Sequence, residues 1–205
     1  MSDDFHNLWQ PFLDGIAAGD DVRTEEAALS LGHRSAERSR RSLGDAVLPA
    51  LRDLLSDADP DRRWWAARAL AAVAIPAARQ LLITALADAD ADVRACAAQG
   101  LGELQAVEAV DGLVRRLADS SPFVSRIAAD SLGRIGPPAV PALVAALQEG
   151  ETLARAGAAR ALSVIQPEEA VPALCAALDD PSAIVTYYAE EALERMRVGG
   201  VLIQP

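Results

Sequence analysis

The sequence predicts an all-α chain, an α-solenoid of stacked helix-turn-helix repeats. Two observations carry this. Leu70, Leu101, Leu132, Leu162 and Leu193 recur at intervals of 31, 31, 30 and 31 residues. Leu51, Leu82, Leu113, Leu143 and Leu174 keep the same spacing, as do Leu55, Leu86, Leu117, Leu147 and Leu178. The second observation is compositional: 51% of residues are hydrophobic but only 4% aromatic, so alanine and leucine must carry the burial. That suits closely packed helices. A period near 31 residues marks an array whose units cannot bury their apolar stripes alone and must stack. The expected product is a right-handed stack of antiparallel helix pairs without β-strands.

Residues 1–45 read as a degenerate N-terminal repeat or cap. Phe5, Leu8, Trp9, Phe12, Leu13 and Ile16 fall on one helical face. Pro11 stands where later repeats carry proline, and Asp21-Val22-Arg23 and Leu31-Gly32 echo the later second helices. From Gly32 to Pro49 is 17 residues, whereas Gly102 to Asp111 is nine. The extra eight lie in the arginine-rich stretch after His33, with Arg34, Arg38, Arg40 and Arg41, and are expected to lengthen the second helix by about two turns. Five regular repeats follow over 46–197, at about 46–76, 77–106, 107–136, 137–166 and 167–197. Residues 198–205 start no new repeat and read as a C-terminal tail.

Within a repeat, the first helix is expected to open at Pro49, Pro141 or Pro172, with Gln80 and Asp111 at the matching positions of the other two. An acidic turn comes next, as in DADPD (57–61) and DADAD (88–92), where carboxylates cap the second helix and answer its dipole. The second helix is typified by 93–105, where Gly100 and Gly102 permit close helix approach.

These turns carry a recognisable pattern: an acid, five intervening residues, an arginine, then Ala-Ala and Leu-Gly. Asp57/Arg63, Asp88/Arg94 and Glu149/Arg155 fit the spacing, while Asp119/Ser125 and Asp180/Thr186 lack the arginine. The chain thus resembles HEAT repeats, specifically the short bacterial type named after phycobilisome lyases, over residues 46–197. The resemblance implies an armadillo-type fold and an acid–arginine ladder between neighbouring repeats, weaker at the third and fifth. It says little of function, because such repeats serve many unrelated proteins.

Charge narrows the partners. The chain carries 19 basic against 30 acidic residues, a net −11, and every basic residue is arginine. A duplex-binding surface needs cations to displace counterions, so nucleic acid is disfavoured as a partner. No run of apolar residues is long enough for a membrane span. Cys96 and Cys175 stand far apart in sequence, which predicts no disulfide and a cytoplasmic chain. His6 and His33 lie in no zinc or iron motif, and the paired His-Glu motifs of HEAT-like hydroxylases are missing. Nucleophile-elbow, phosphate-loop and dinucleotide motifs are lacking too, and Cys96 has no repeat-equivalent histidine beside it. The reading is a non-enzyme without metal or cofactor.

A protein partner is expected on the surface lined by the second helices. Placing Val93, Ala97, Leu101 and Leu104 inward makes Ala95 and Gln99 face outward. The equivalent outward column is Trp64, Ala95, Arg126, Ala156 and Tyr187, followed by Arg68, Gln99, Asp130, Arg160 and Glu191. Flanking columns run Trp65, Cys96, Ile127, Gly157, Tyr188 and Ala72, Glu103, Arg134, Val164, Arg195. The candidate contact residues are Trp64, Arg68, Gln99, Glu103, Arg126, Asp130, Arg134, Arg160, Tyr187, Glu191 and Arg195. Five arginines stand against three carboxylates there, a local +2. The expected ligand is an acidic or mixed-charge protein segment, giving a scaffold or adaptor. Two alternatives are a bilin lyase or isomerase subunit acting on a phycobiliprotein, implied by the resemblance, and a DNA-binding protein of the HEAT-like glycosylase kind.

Overall fold

The computed structural model describes residues 10–16, 18–33, 47–73 and 75–197. The basic segment 34–41, His6 and the tail 198–205 lie outside the described residues. The chain is an all-α solenoid, and no strand occurs among the described residues. It divides into two compact units, Met1–Leu104 and Gln105–Pro205.

In the first unit, α1 (10–16) and α2 (Asp21–His33) make the N-terminal pair. Next come α3 (47–55) with α4 (Pro60–Val73), and α5 (Pro76–Ala85) with α6 (Ala91–Glu103). The second helices α2, α4 and α6 pack side by side. The closest approach is at Gly100, where a Cβ would lie 2.8 Å from the Ala71 Cβ across the α4–α6 seam. Leu51, Leu70, Leu82 and Leu101 are wholly buried.

The second unit repeats the plan with α7 (Val110–Arg116) and α8 (Pro122–Ile135), α9 (Val140–Glu149) and α10 (Thr152–Ile165), α11 (Val171–Ala176) and α12 (Ala183–Arg197). Here α10 packs between α8 and α12, and α9 touches both α7 and α11, so second helices form one layer and first helices the other. Leu113, Leu132, Leu143, Leu162 and Leu174 fill the space between the layers with no exposure.

The acidic turns show why the repeat keeps an aspartate. Oδ1 of Asp57, Asp88, Asp119 and Asp180 each accepts the backbone N–H two residues on, at 2.8–2.9 Å. Each closes an Asx turn that aims the chain into the second helix. Asp90 then caps α6 by accepting from the N–H groups of Asp92 and Val93. The ladder follows. Arg63 donates from Nε and Nη2 to the two carboxylate oxygens of Asp88, both at 2.9 Å, and from Nη1 to the Asp57 and Ala58 carbonyls. Arg155 treats Asp180 and the Gly150 carbonyl the same way. Where serine replaces arginine, Ser125 Oγ donates to the Leu117 carbonyl at 2.6 Å and reaches no neighbouring repeat.

Three expectations need correction. The first helix of the second repeat opens at Pro76, four residues before Gln80, because Ile75 is extended and proline takes the first helical position. Leu178 is 41% exposed, unlike the other members of its ladder from the same unit. The cause is that α11 stops at Ala176 and the chain tightens into a 3-10 turn, Ala177–Asp179, which rotates Leu178 outward. Last, Ala95 and Ala156 are buried at 4% and 5%, and Cys96 is buried too. In helices this rich in alanine, neighbours close over small side chains on nearly every side.

Candidate functional site

In the first unit, Trp64 is half-buried and Trp65 buried, and their rings meet edge-on with centroids 4.8 Å apart. Arg68 is tied to Glu25 of α2 by a 2.6 Å ion pair. Gln99 is exposed and donates from Nε2 to Glu103, one turn on. Cys96 Sγ donates to the Trp64 carbonyl at 3.8 Å, and burial pushes its thiol up to about 12. A thiol so held is not a nucleophile at neutral pH.

The second unit gathers the remaining candidates. Asp130 sits between two guanidinium groups: Arg126 of its own helix at 3.5 Å and Arg160 of α10 at 2.9 Å. Arg160 also donates from Nη1 to the Tyr188 hydroxyl at 3.3 Å, which ties α8 and α12 through α10. Tyr187 packs edge-on against Tyr188 and is itself 59% exposed. Arg195 pairs with Glu191 at 2.6 Å. Arg134 is exposed and forms no ion pair among the described residues. Thus Arg160 is spent on internal bonds, and Arg126 and Arg134 remain the outward charges.

One row escaped the sequence reading. Phe123, Leu153 and Ile184 occupy the second position of α8, α10 and α12, and are 48%, 50% and 48% exposed. The matching positions of α4 and α6 are Asp61 and Asp92. The signal was available: a polar repeat position becomes large and apolar in three consecutive repeats. Between Arg126 and Tyr187 the equivalent α10 residue is the buried Ala156, so the face has a notch there. Arg126 lies over the Phe123 ring at 5.3 Å, joining the apolar row to the charged column.

HEAT repeats match residues 10–99, 48–129, 80–152 and 110–194 in overlapping windows. The chain belongs to the HEAT-repeat family. Two engineered proteins of known structure are similar to this HEAT-repeat chain at 24% identity and TM-score 0.52; one alignment covers 98% of this chain and 99% of the other, the second 96% and 99%. They speak for the fold alone. The complex of CpcE and CpcF of phycocyanin lyase from Nostoc sp. is similar at 28% identity and TM-score 0.52, over 71% of this chain and 63% of that one. No curated protein matches. Among the described residues, no group of three or more His, Cys, Asp or Glu is placed to hold a metal ion, and no helix is long and apolar enough to cross a membrane.

Proposed function

We propose that this HEAT-repeat chain is a non-catalytic scaffold whose second-helix faces hold a mixed-charge protein segment. The observation that carries the reading is the row Phe123, Leu153 and Ile184, half-exposed on adjacent helices and bordered by Arg126 and Tyr187. Large apolar side chains seldom line up in water without a partner. Phe123, Ile184 and Tyr187 supply the apolar anchors, and Arg126 and Arg134 offer directed donors to partner carboxylates. In the first unit, Trp64, Arg68, Gln99 and Glu103 lie on the corresponding helices. The net −11 argues against nucleic acid, and the two free cysteines suit the reducing cytoplasm.

Affinity capture with paired variants tests this. A partner held by the unaltered chain should be lost on Phe123→Ser/Ile184→Ser and weakened by about 2 kcal/mol on Arg126→Ala/Tyr187→Ala. It should be retained on the turn variant Glu149→Gln/Glu151→Gln. The reverse pattern overturns the reading and moves the contact to the acidic turns.

The likeness to the CpcE–CpcF complex supports a second reading, a subunit of a bilin lyase. Mixing the chain with bilin and an apo-phycobiliprotein, alone and with a second lyase subunit, would then give a coloured adduct. A colourless mixture in both cases ends that reading.

A further inference from the structure

We propose that the cleft between α2 and α4 in the first unit binds the guanidinium of an arginine side chain from a partner polypeptide. This goes beyond the contact on the second unit and does not depend on it. The cleft, about 570 Å³, is lined by Trp64, Trp65 and Val22 and by Asp21, Glu25, Glu26 and Asp61, with no basic side chain in its wall among the described residues. The two indoles stand at 85° to one another, so they form a corner in which a flat cation can stack on one ring and touch the edge of the other. Stacking of a cation on indole is the strongest of the aromatic–cation contacts, and guanidinium is planar, weakly hydrated and rich in directed donors.

The carboxylates are not all explained by the helices. Asp21 and Asp61 lie in the first turns of α2 and α4, where an acid answers the positive helix end. Glu25 and Glu26 lie beyond that turn, and their charges gather on the Trp64 side instead. Glu25 is taken by Arg68 at 2.6 Å, at the margin of the cleft. Asp21, Glu26 and Asp61 form no ion pair among the described residues and are exposed, so their charge faces the cleft unneutralised. An acidic recess walled by indoles and Val22 is mismatched to a carboxylate, and it matches a guanidinium, whose flat face and methylene stem suit the apolar wall and whose charge suits the carboxylates. This revises the expectation of a positive surface around Trp64: the local charge there is negative.

The test uses the full chain with Trp9→Phe, which leaves Trp64 and Trp65 as the two fluorescent reporters. It is titrated with an acetylated, amidated Ala-Arg-Ala tripeptide and with the isosteric citrulline tripeptide. The expected result is a saturable change in indole emission with arginine and about tenfold weaker binding of citrulline, the loss of one partly desolvated cation contact. Glu26→Gln/Asp61→Asn, at two exposed positions, should weaken the arginine tripeptide several-fold with an unchanged far-UV circular dichroism spectrum, while Phe123→Ser/Ile184→Ser leaves it unaltered. Equal binding of both tripeptides, no saturable change with arginine, or undiminished binding by the Glu26/Asp61 variant overturns the proposal. Retention of the partner by Phe123→Ser/Ile184→Ser in the capture assay, with intact tripeptide binding, would instead count against the second-unit contact alone.

Discussion

Replacing Gly100 with alanine sets two well-calibrated effects against each other. Alanine is the better helix former by about 1 kcal/mol in a helix interior, so propensity alone predicts stabilisation. The structure predicts the opposite. The new Cβ would lie 2.8 Å from the Ala71 Cβ, and carbon atoms rest at about 3.5–4.0 Å, so α4 and α6 must part by roughly 1 Å. Neither methyl can swing away. Overpacking of this sort costs about 1–3 kcal/mol, and the opened seam forfeits contacts along its length. The expected net loss is about 1–2 kcal/mol, a fall of about 2–8 °C in Tm for a chain of this size. Ala71→Gly alone should cost about 1 kcal/mol in propensity. The double variant moves the methyl across the seam, so it should sit near the unaltered protein, with a coupling of about 2–3 kcal/mol. Urea denaturation followed by far-UV circular dichroism measures all four corners of the cycle. Stabilisation by Gly100→Ala, or additivity in the double variant, would show that the seam is not close-packed and refute the reasoning.

Leu101→Ala should cost about 2–5 kcal/mol by denaturation and Gln99→Ala under about 0.5 kcal/mol, since the first is wholly buried and the second exposed. Gly136 closes α8 at φ 80°, ψ −142°, with no atom within 4 Å of an added Cβ; Gly136→Ala should therefore cost about 1–3 kcal/mol through the backbone alone, seen as a lower midpoint in the same assay. Acid should weaken the fold through the ladder. Burial pushes the Asp88 carboxyl up, but Arg63 and the Asp90 N–H outweigh it, and the Arg155 bond holds Asp180 low, so both stay below the ordinary carboxylate range. Their contribution is present above about pH 4, where the unfolded carboxyls ionise, and is lost as pH falls through the lower folded values. Asp88→Asn/Asp180→Asn should flatten that acid limb in stability-versus-pH curves. Ser131 Oγ is buried with no hydrogen-bond partner among the described residues, so Ser131→Ala should raise stability by about 1 kcal/mol.

Periodicity made the fold legible because two leucines per repeat have no alternative to burial. Leu82, Leu113 and Leu143 are as enclosed as their spacing requires. The candidate face was harder to read, for two physical reasons. A hundred-degree step assigns direction, not depth, so Ala95 and Ala156 pointed outward and were still covered by their neighbours. Arginine identity also says nothing of commitment: Arg160 is bound to Asp130 and Tyr188, whereas Arg134 is exposed and forms no ion pair among the described residues. The acidic lining of the Trp64 cleft depends on α2 lying against α4, a pairing hidden by the degenerate spacing of the N-terminal unit.

The two thiols give this solenoid a built-in clock. Cys175 is exposed, while Cys96 is sealed beneath the α4 backbone with its proton held to about pH 12. A maleimide therefore marks Cys175 at once and reaches Cys96 only during excursions in which α6 lifts away. The second labelling rate, read by mass spectrometry under native conditions, counts those openings one event at a time.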